Sequence, residues 1–137
     1  MFAKKILLVI FFCLFFSCAS TSIQMNLPRG NSPNFHILQA NDPLNLNNII
    51  MEEISKRGHS VNITYAHDIA GEKNIVVVQI YYSYHWDVFH YTSSRLRIDF
   101  TDANTGIVAG SGSHNGGSFH SARRITRNII NQMLDKI

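Results

Sequence analysis

Cysteine is nearly absent from this 137-residue chain, and the two that occur, Cys13 and Cys18, both fall within its first eighteen residues. The rest of the sequence has no thiol, so no disulfide can brace it and its stability must come from packing. Hydrophobic runs are short as well. The longest, Ile6 to Phe16, has eleven residues; as a helix it would rise about 16 Å against a hydrocarbon core of about 30 Å, which argues against a membrane span. An excess of one charge is also missing. The formal net charge of +3 owes two of its units to Lys4 and Lys5; without them ten cations face nine acidic residues, and a general nucleic-acid role loses its main support. There is no internal repeat and no low-complexity tract.

What is present begins with an address. Two lysines, the eleven-residue apolar run and the small residues Ser17, Cys18, Ala19 and Ser20 have the layout of a secretory signal peptide over residues 1–17. Leu14-Phe15-Phe16-Ser17-Cys18 resembles the lipobox of bacterial lipoproteins, although Phe15 replaces the usual aliphatic residue and Phe16 the common small one. The resemblance implies lipidation of Cys18 and, with Ala19 rather than Asp after it, an outer-membrane destination facing the periplasm. The alternative is cleavage after Ala19, since Ser17-Cys18-Ala19 also satisfies a small-x-small rule, and it would release a soluble periplasmic protein. Residues 18–34 carry Ser, Thr, Asn, Gly30, Pro28 and Pro33 without apolar periodicity and read as a flexible tether.

Residues 35–137 are expected to form one α+β domain: a mostly antiparallel sheet of about five strands with two helices on one face, in the order β-α-β-β-β-β-α. Its organising stretch is Ile75 to Tyr91. There Val76, Val78, Ile80, Tyr82, Tyr84, Trp86 and Val88 occupy alternate positions, as one buried face of a long strand would require, with Gln79, Tyr81, Ser83, His85 and Asp87 opposite them. A first strand is expected at Phe35 to Ala40 and a second from Val61 to Ala66. Between them Asp42 and Pro43 should open a helix that Gly58 closes, burying Leu46, Ile49, Ile50 and Ile54 and leaving Glu52, Glu53, Lys56 and Arg57 wet. Thr92-Ser93-Ser94 reads as a break after the long strand, and Arg95 to Thr101 as the next strand. Asp102 to Gly106 should make the hairpin loop before a small-residue strand, Ile107 to Ser113, where the glycines either admit a close neighbour or mark a weak edge. Ala122, Ile125, Ile129, Met133 and Ile137 then form the stripe of a last helix capped by Ser118 or Ser121, with Arg123, Arg124 and Arg127 off the stripe, where they could contact lipid phosphates or an acidic partner, although such a face is ordinarily a solvated one.

Seven histidines follow the leader. A zinc or copper site of His85, His114 and His120 is conceivable because imidazole suits those metals, yet no pair stands at an established ligand spacing, and scattered strand histidines are the plainer reading. Tyr81, His85 and Asp87 on the outward row are the candidate contact surface for a partner or glycan. Gly110-Ser111-Gly112-Ser113-His114 is no nucleophile elbow, and the aspartates form no recognisable acid/base pair. No cofactor and no enzymatic activity are therefore expected.

Cys18, the polar stretch after it, Tyr84-His85-Trp86-Asp87-Val88, the Asp99 to Gly106 hairpin and the closing helix together resemble small bacterial lipoproteins with a periplasmic α+β domain. The resemblance implies a fold and an envelope location, with the membrane engaged through the lipid anchor and an envelope protein or cell-wall component as partner. It brings no active site.

Overall fold

The computed structural model describes residues 19–27, 32–65, 74–86, 91–116 and 121–137, with backbone alone at 85–86 and 91–94. They form a six-stranded sheet and two helices. The strands are β1 (Ser20–Met25), β2 (Asn34–Leu38), β3 (Val61–Thr64), β4 (Ile75–Trp86), β5 (Tyr91–Asp102) and β6 (Val108–Asn115); the helices are α1 (Leu46–Lys56) and α2 (Ala122–Leu134). Across the sheet the order is β1-β6-β5-β4-β2-β3. β4, β5, β6 and β1 pair antiparallel in sequence, whereas β2 runs parallel to both β4 and β3. Each parallel step needs a crossover, and α1 supplies the one between β2 and β3.

Alternation sorts the strand residues as anticipated. Phe35, Ile37, Val76, Val78, Leu96, Ile98 and Phe100 share the face beneath the helices and are buried, joined by Leu46, Ile49, Ile50 and Ile54 of α1 and Ile125, Ile129, Ile130 and Met133 of α2. Both helices thus cover one face, the economical way to bury three apolar surfaces together. β6 explains its small residues here. A Cβ at Gly112 would run into the Ile129 side chain and stand 2.9 Å from both Ile23 Cδ1 and Met133 Sδ. The glycine lets α2 settle onto the sheet, and β6 is an interior strand rather than a weak edge.

Three expectations need correction. Residues 18–34 are not all tether, because Ser20–Met25 is the edge strand β1, registered from Ser20 opposite Asn115 to Met25 opposite Gly110. Its polar composition hid it: Ile23 and Met25 alone reach the core, and the remaining residues of an edge strand can stay wet. The long ribbon does not continue to Tyr91. Trp86 pairs with Tyr91, so the chain reverses between them, and Thr92, Ser93 and Ser94 are strand rather than break. A register shift between Ser83 and Tyr84 interrupts the alternation, and Tyr84 is 46% exposed despite its place in the apolar row. Finally, α1 starts at Leu46. Asp42 and Pro43 form a turn closed by the Asn45 amide on the Asp42 carbonyl, and Asn45 takes the left-handed conformation at φ 56° before the helix begins. Asp42 still serves the helix start, accepting the Asn47 amide at 2.7 Å.

The other boundaries follow the sequence closely. Asp102 Oδ1 accepts the Asn104 amide at 2.7 Å, and Gly106 closes the hairpin loop with φ 70°. Ser121 caps α2, its hydroxyl accepting the Arg124 amide.

Candidate functional site

Of the residues singled out in the sequence, Cys18, Asp87 and His120 lie outside the described residues, and so does the side chain of His85, whose backbone pairs with Thr92 in β4. His114 is in view. It sits on the helix-covered side of β6, buried, with Nδ1 3.0 Å from Thr21 Oγ1 and Nε2 2.8 Å from the Gly116 carbonyl. A carbonyl only accepts, so Nε2 carries the proton and Nδ1 accepts from the Thr21 hydroxyl. Both ring nitrogens are thereby engaged, Nδ1 in joining β6 to β1 and Nε2 in holding the chain just beyond β6. Among the described residues no group of three or more His, Cys, Asp or Glu is placed to hold a metal ion.

Tyr81 stands where the alternation put it, on the open face opposite Arg97 and 51% exposed. It borders a shallow cleft of about 500 Å³ shared with Ser83, Arg95, Arg97, Ser113 and Asn115. Within that face Arg97 Nε donates to Asp99 Oδ1 at 2.8 Å. Asp99 lies on the outward row yet is buried, because the arginine folds across it, and the carboxylate in turn holds the guanidinium above its ordinary pKa.

Two polar junctions escaped the sequence reading. Tyr82, half-buried at the rim of the core, donates its hydroxyl proton to Asp42 Oδ1 at 2.7 Å, tying β4 to the turn ahead of α1. Burial and then that hydrogen bond push its phenol up to about 12. Glu53, expected on the wet side of α1, is buried where α2 crosses it. Arg127 Nε and Lys56 Nζ reach its Oε1 at 3.0 and 3.2 Å, and Asn131 Nδ2 reaches Oε2 at 3.0 Å. Burial alone would raise this carboxyl; the hydrogen bonds from Asn131, Lys56 and Arg127 outweigh it and hold the group below its ordinary value. A signal did exist in the spacing, since Glu53 falls three and four residues after Ile50 and Ile49, on the stripe's own rows.

Arg127 and Asn131 also line a second cleft, of about 550 Å³, between α2 and the start of β1, together with Ala19, Thr21, His114, Arg124, Ile125 and Asn128. It is the larger of the two. Its polar lining comes from Arg124, Arg127, Asn128 and Asn131 on one side and from the hydrogen-bonded Thr21 and His114 on the other, and the two guanidinium groups suit it to binding an anion.

The sequence matches no family model, and no curated protein matches it. Solved structures do share the fold. PelC from Paraburkholderia phytofirmans, a dodecamer in two crystal forms of which one is a point variant, superposes with a TM-score of 0.61 in each. The alignments cover 84% and 85% of this chain and 96% and 95% of the PelC chain, at 13% identity. The likeness at that identity is one of fold. It extends along nearly the whole PelC chain, so this α+β arrangement is a complete structural unit there.

Proposed function

We propose that this chain is a cell-envelope lipoprotein, held in the membrane through Cys18, whose α+β domain is a non-catalytic binding and assembly module. The observation that carries the assembly part is the sheet's two open edges. β1 and β3 each have a strand neighbour on one side alone among the described residues, and β3 exposes Ile63 at 38% and, just beyond it, Tyr65 at 54%. An edge of this kind offers unpaired backbone groups and apolar area for pairing with a further chain. The shared fold with PelC, whose chains form a dodecamer, supports the same reading. Support for the anchor comes from the leader and the lipobox-like Cys18.

Native mass spectrometry of the protein extracted in mild detergent tests assembly. Oligomers are expected, and replacing Ile63 with Lys should dissociate them; a monomer at every concentration overturns the assembly reading. Acyl labelling of the mature protein, with Cys18→Ala as control, tests the anchor. Label that disappears in the variant is expected, whereas an unmodified chain starting at Ser20 removes the lipoprotein reading.

A further inference from the structure

We propose that the cleft between α2 and the start of β1 is a binding site for a phosphate group, with Arg124 as its principal cation. Arg124, Arg127, Asn128 and Asn131 recur along α2 at three- and four-residue spacing, so their side chains form one row on the helix and all border the same 550 Å³ space. Within this row the arginines are differently occupied. Arg127 spends its Nε on Glu53, leaving its terminal nitrogens 3.9 Å or more from the Glu52 carboxylate. Arg124 has no ion pair or side-chain hydrogen bond among the described residues, and neither has the Asn128 amide.

Glu53 is the nearest acidic group to this row, and it does not oppose an anion. Its two oxygens are already taken by Lys56 and by Arg127 and Asn131 of the row itself, so its charge is compensated, with part of Arg127's charge spent on it. What faces the opening is therefore an unspent guanidinium, the free end of a second one and an amide. That donor set matches the several acceptor oxygens of a phosphate, for which arginine's planar fork is well suited.

The position of the cleft bears on the source of the phosphate. Ala19 lines it and is covalently next to Cys18, and consecutive Cα atoms lie about 3.8 Å apart. If Cys18 carries acyl chains, the cleft opens at headgroup depth, where lipid phosphates are the abundant anions. That part rests on the lipoprotein reading; the phosphate site itself does not.

Calorimetric titration of the full-length protein in non-ionic detergent tests both parts, with inorganic phosphate, glycerol 3-phosphate and glycerol as probes. Saturable binding of a phosphate-bearing probe is expected, with none for glycerol. Arg124→Ala should weaken it about tenfold, the loss of one charge-assisted contact, while Arg123→Ala on the same turn stays within twofold. Glycerol 3-phosphate binding several-fold more tightly than inorganic phosphate assigns the site to a headgroup; equal affinities assign it to free phosphate. Absence of binding by either phosphate probe, or equal weakening by the two arginine variants, overturns the proposal. Acyl labelling is read separately, so loss of the anchor leaves this outcome intact.

Discussion

The two faces of the sheet are written by the same strands and behave as different materials. On β4 and β5, Val78, Ile98 and Phe100 have no solvent exposure, while Tyr81 and Arg97, at odd-numbered positions of the same strands, stand open. A period of two puts a hydrocarbon layer and a polar surface on opposite sides of one backbone. The buried side supplies the folding free energy and tolerates little change. The open side is held by contacts such as Arg97 with Asp99 and is free to vary with whatever meets it. Ile98→Ala should therefore cost about 4 kcal/mol, through lost burial and an unfilled cavity beneath the helices. Tyr81→Ala, on the adjacent strand and the opposite face, should stay within about 0.5 kcal/mol. Urea unfolding of the pair measures the contrast directly, and equal losses would mean that the open face is covered.

Gly112 sharpens the same comparison from the backbone. An added methyl there meets Ile129, Ile23 and Met133 together, and two of those neighbours are anchored in α2. Gly112→Ala should destabilise by about 2 to 3 kcal/mol, since overpacking a filled core displaces its neighbours. Gly110→Ala meets chiefly the flexible Met25 side chain and should cost visibly less. Thermal unfolding of the two variants tests whether helix docking, rather than strand pairing, is what the small residues serve.

How much of this was legible follows from what each signal needs. Val76, Val78, Leu96, Ile98 and the α2 stripe were readable because periodicity is local, and so was the Asp102 to Gly106 loop, whose side-chain and glycine chemistry acts within five residues. β1 was not, because Ser20 to Gln24 has the composition of a linker and becomes a strand only by pairing with β6, some ninety residues away. The bulge at Ser83/Tyr84 and the reversal before Tyr91 were hidden in an unbroken apolar alternation. Site chemistry was less legible still. Glu53 looked like one of four wet residues until α2 closed over it, and Arg124 differs from Arg123 only in which side of α2 it occupies.

The Glu53 junction gives the next effect in size. It is the buried part of the polar contact between α1 and α2, which the exposed Arg57–Asp135 pair extends, and Glu53→Ala should cost about 2 kcal/mol by leaving Arg127 and Asn131 without this acceptor. Because the folded carboxyl titrates below its ordinary value of 4.5, this contribution is whole above that pH and is lost as pH falls through the folded value. The gap between the wild-type chain and the variant should accordingly close in acid, as unfolding midpoints taken across that range will record. A gap that persists unchanged in acid would assign the loss to packing instead.

Tyr82 carries the smallest of these effects and the opposite sign of pH dependence. Its hydroxyl joins the inner face of β4 to Asp42, whose other oxygen accepts the Asn47 amide, so one carboxylate links the sheet to the start of α1. Tyr82→Phe keeps the ring and removes the bond, which should cost about 1 kcal/mol at neutral pH. In the folded chain the phenol is pushed up from 10 to about 12, by burial first and by Asp42 next. A raised folded value means that the contribution is intact below pH 10 and disappears as pH climbs toward 12. The difference between wild-type and Tyr82→Phe stabilities should shrink over that window, and phenolate absorbance should show one tyrosine ionising late in the wild type and absent from the variant. Simultaneous ionisation of all the tyrosines would place the Tyr82 hydroxyl in water and remove the tie between the covered face and the Asp42 turn.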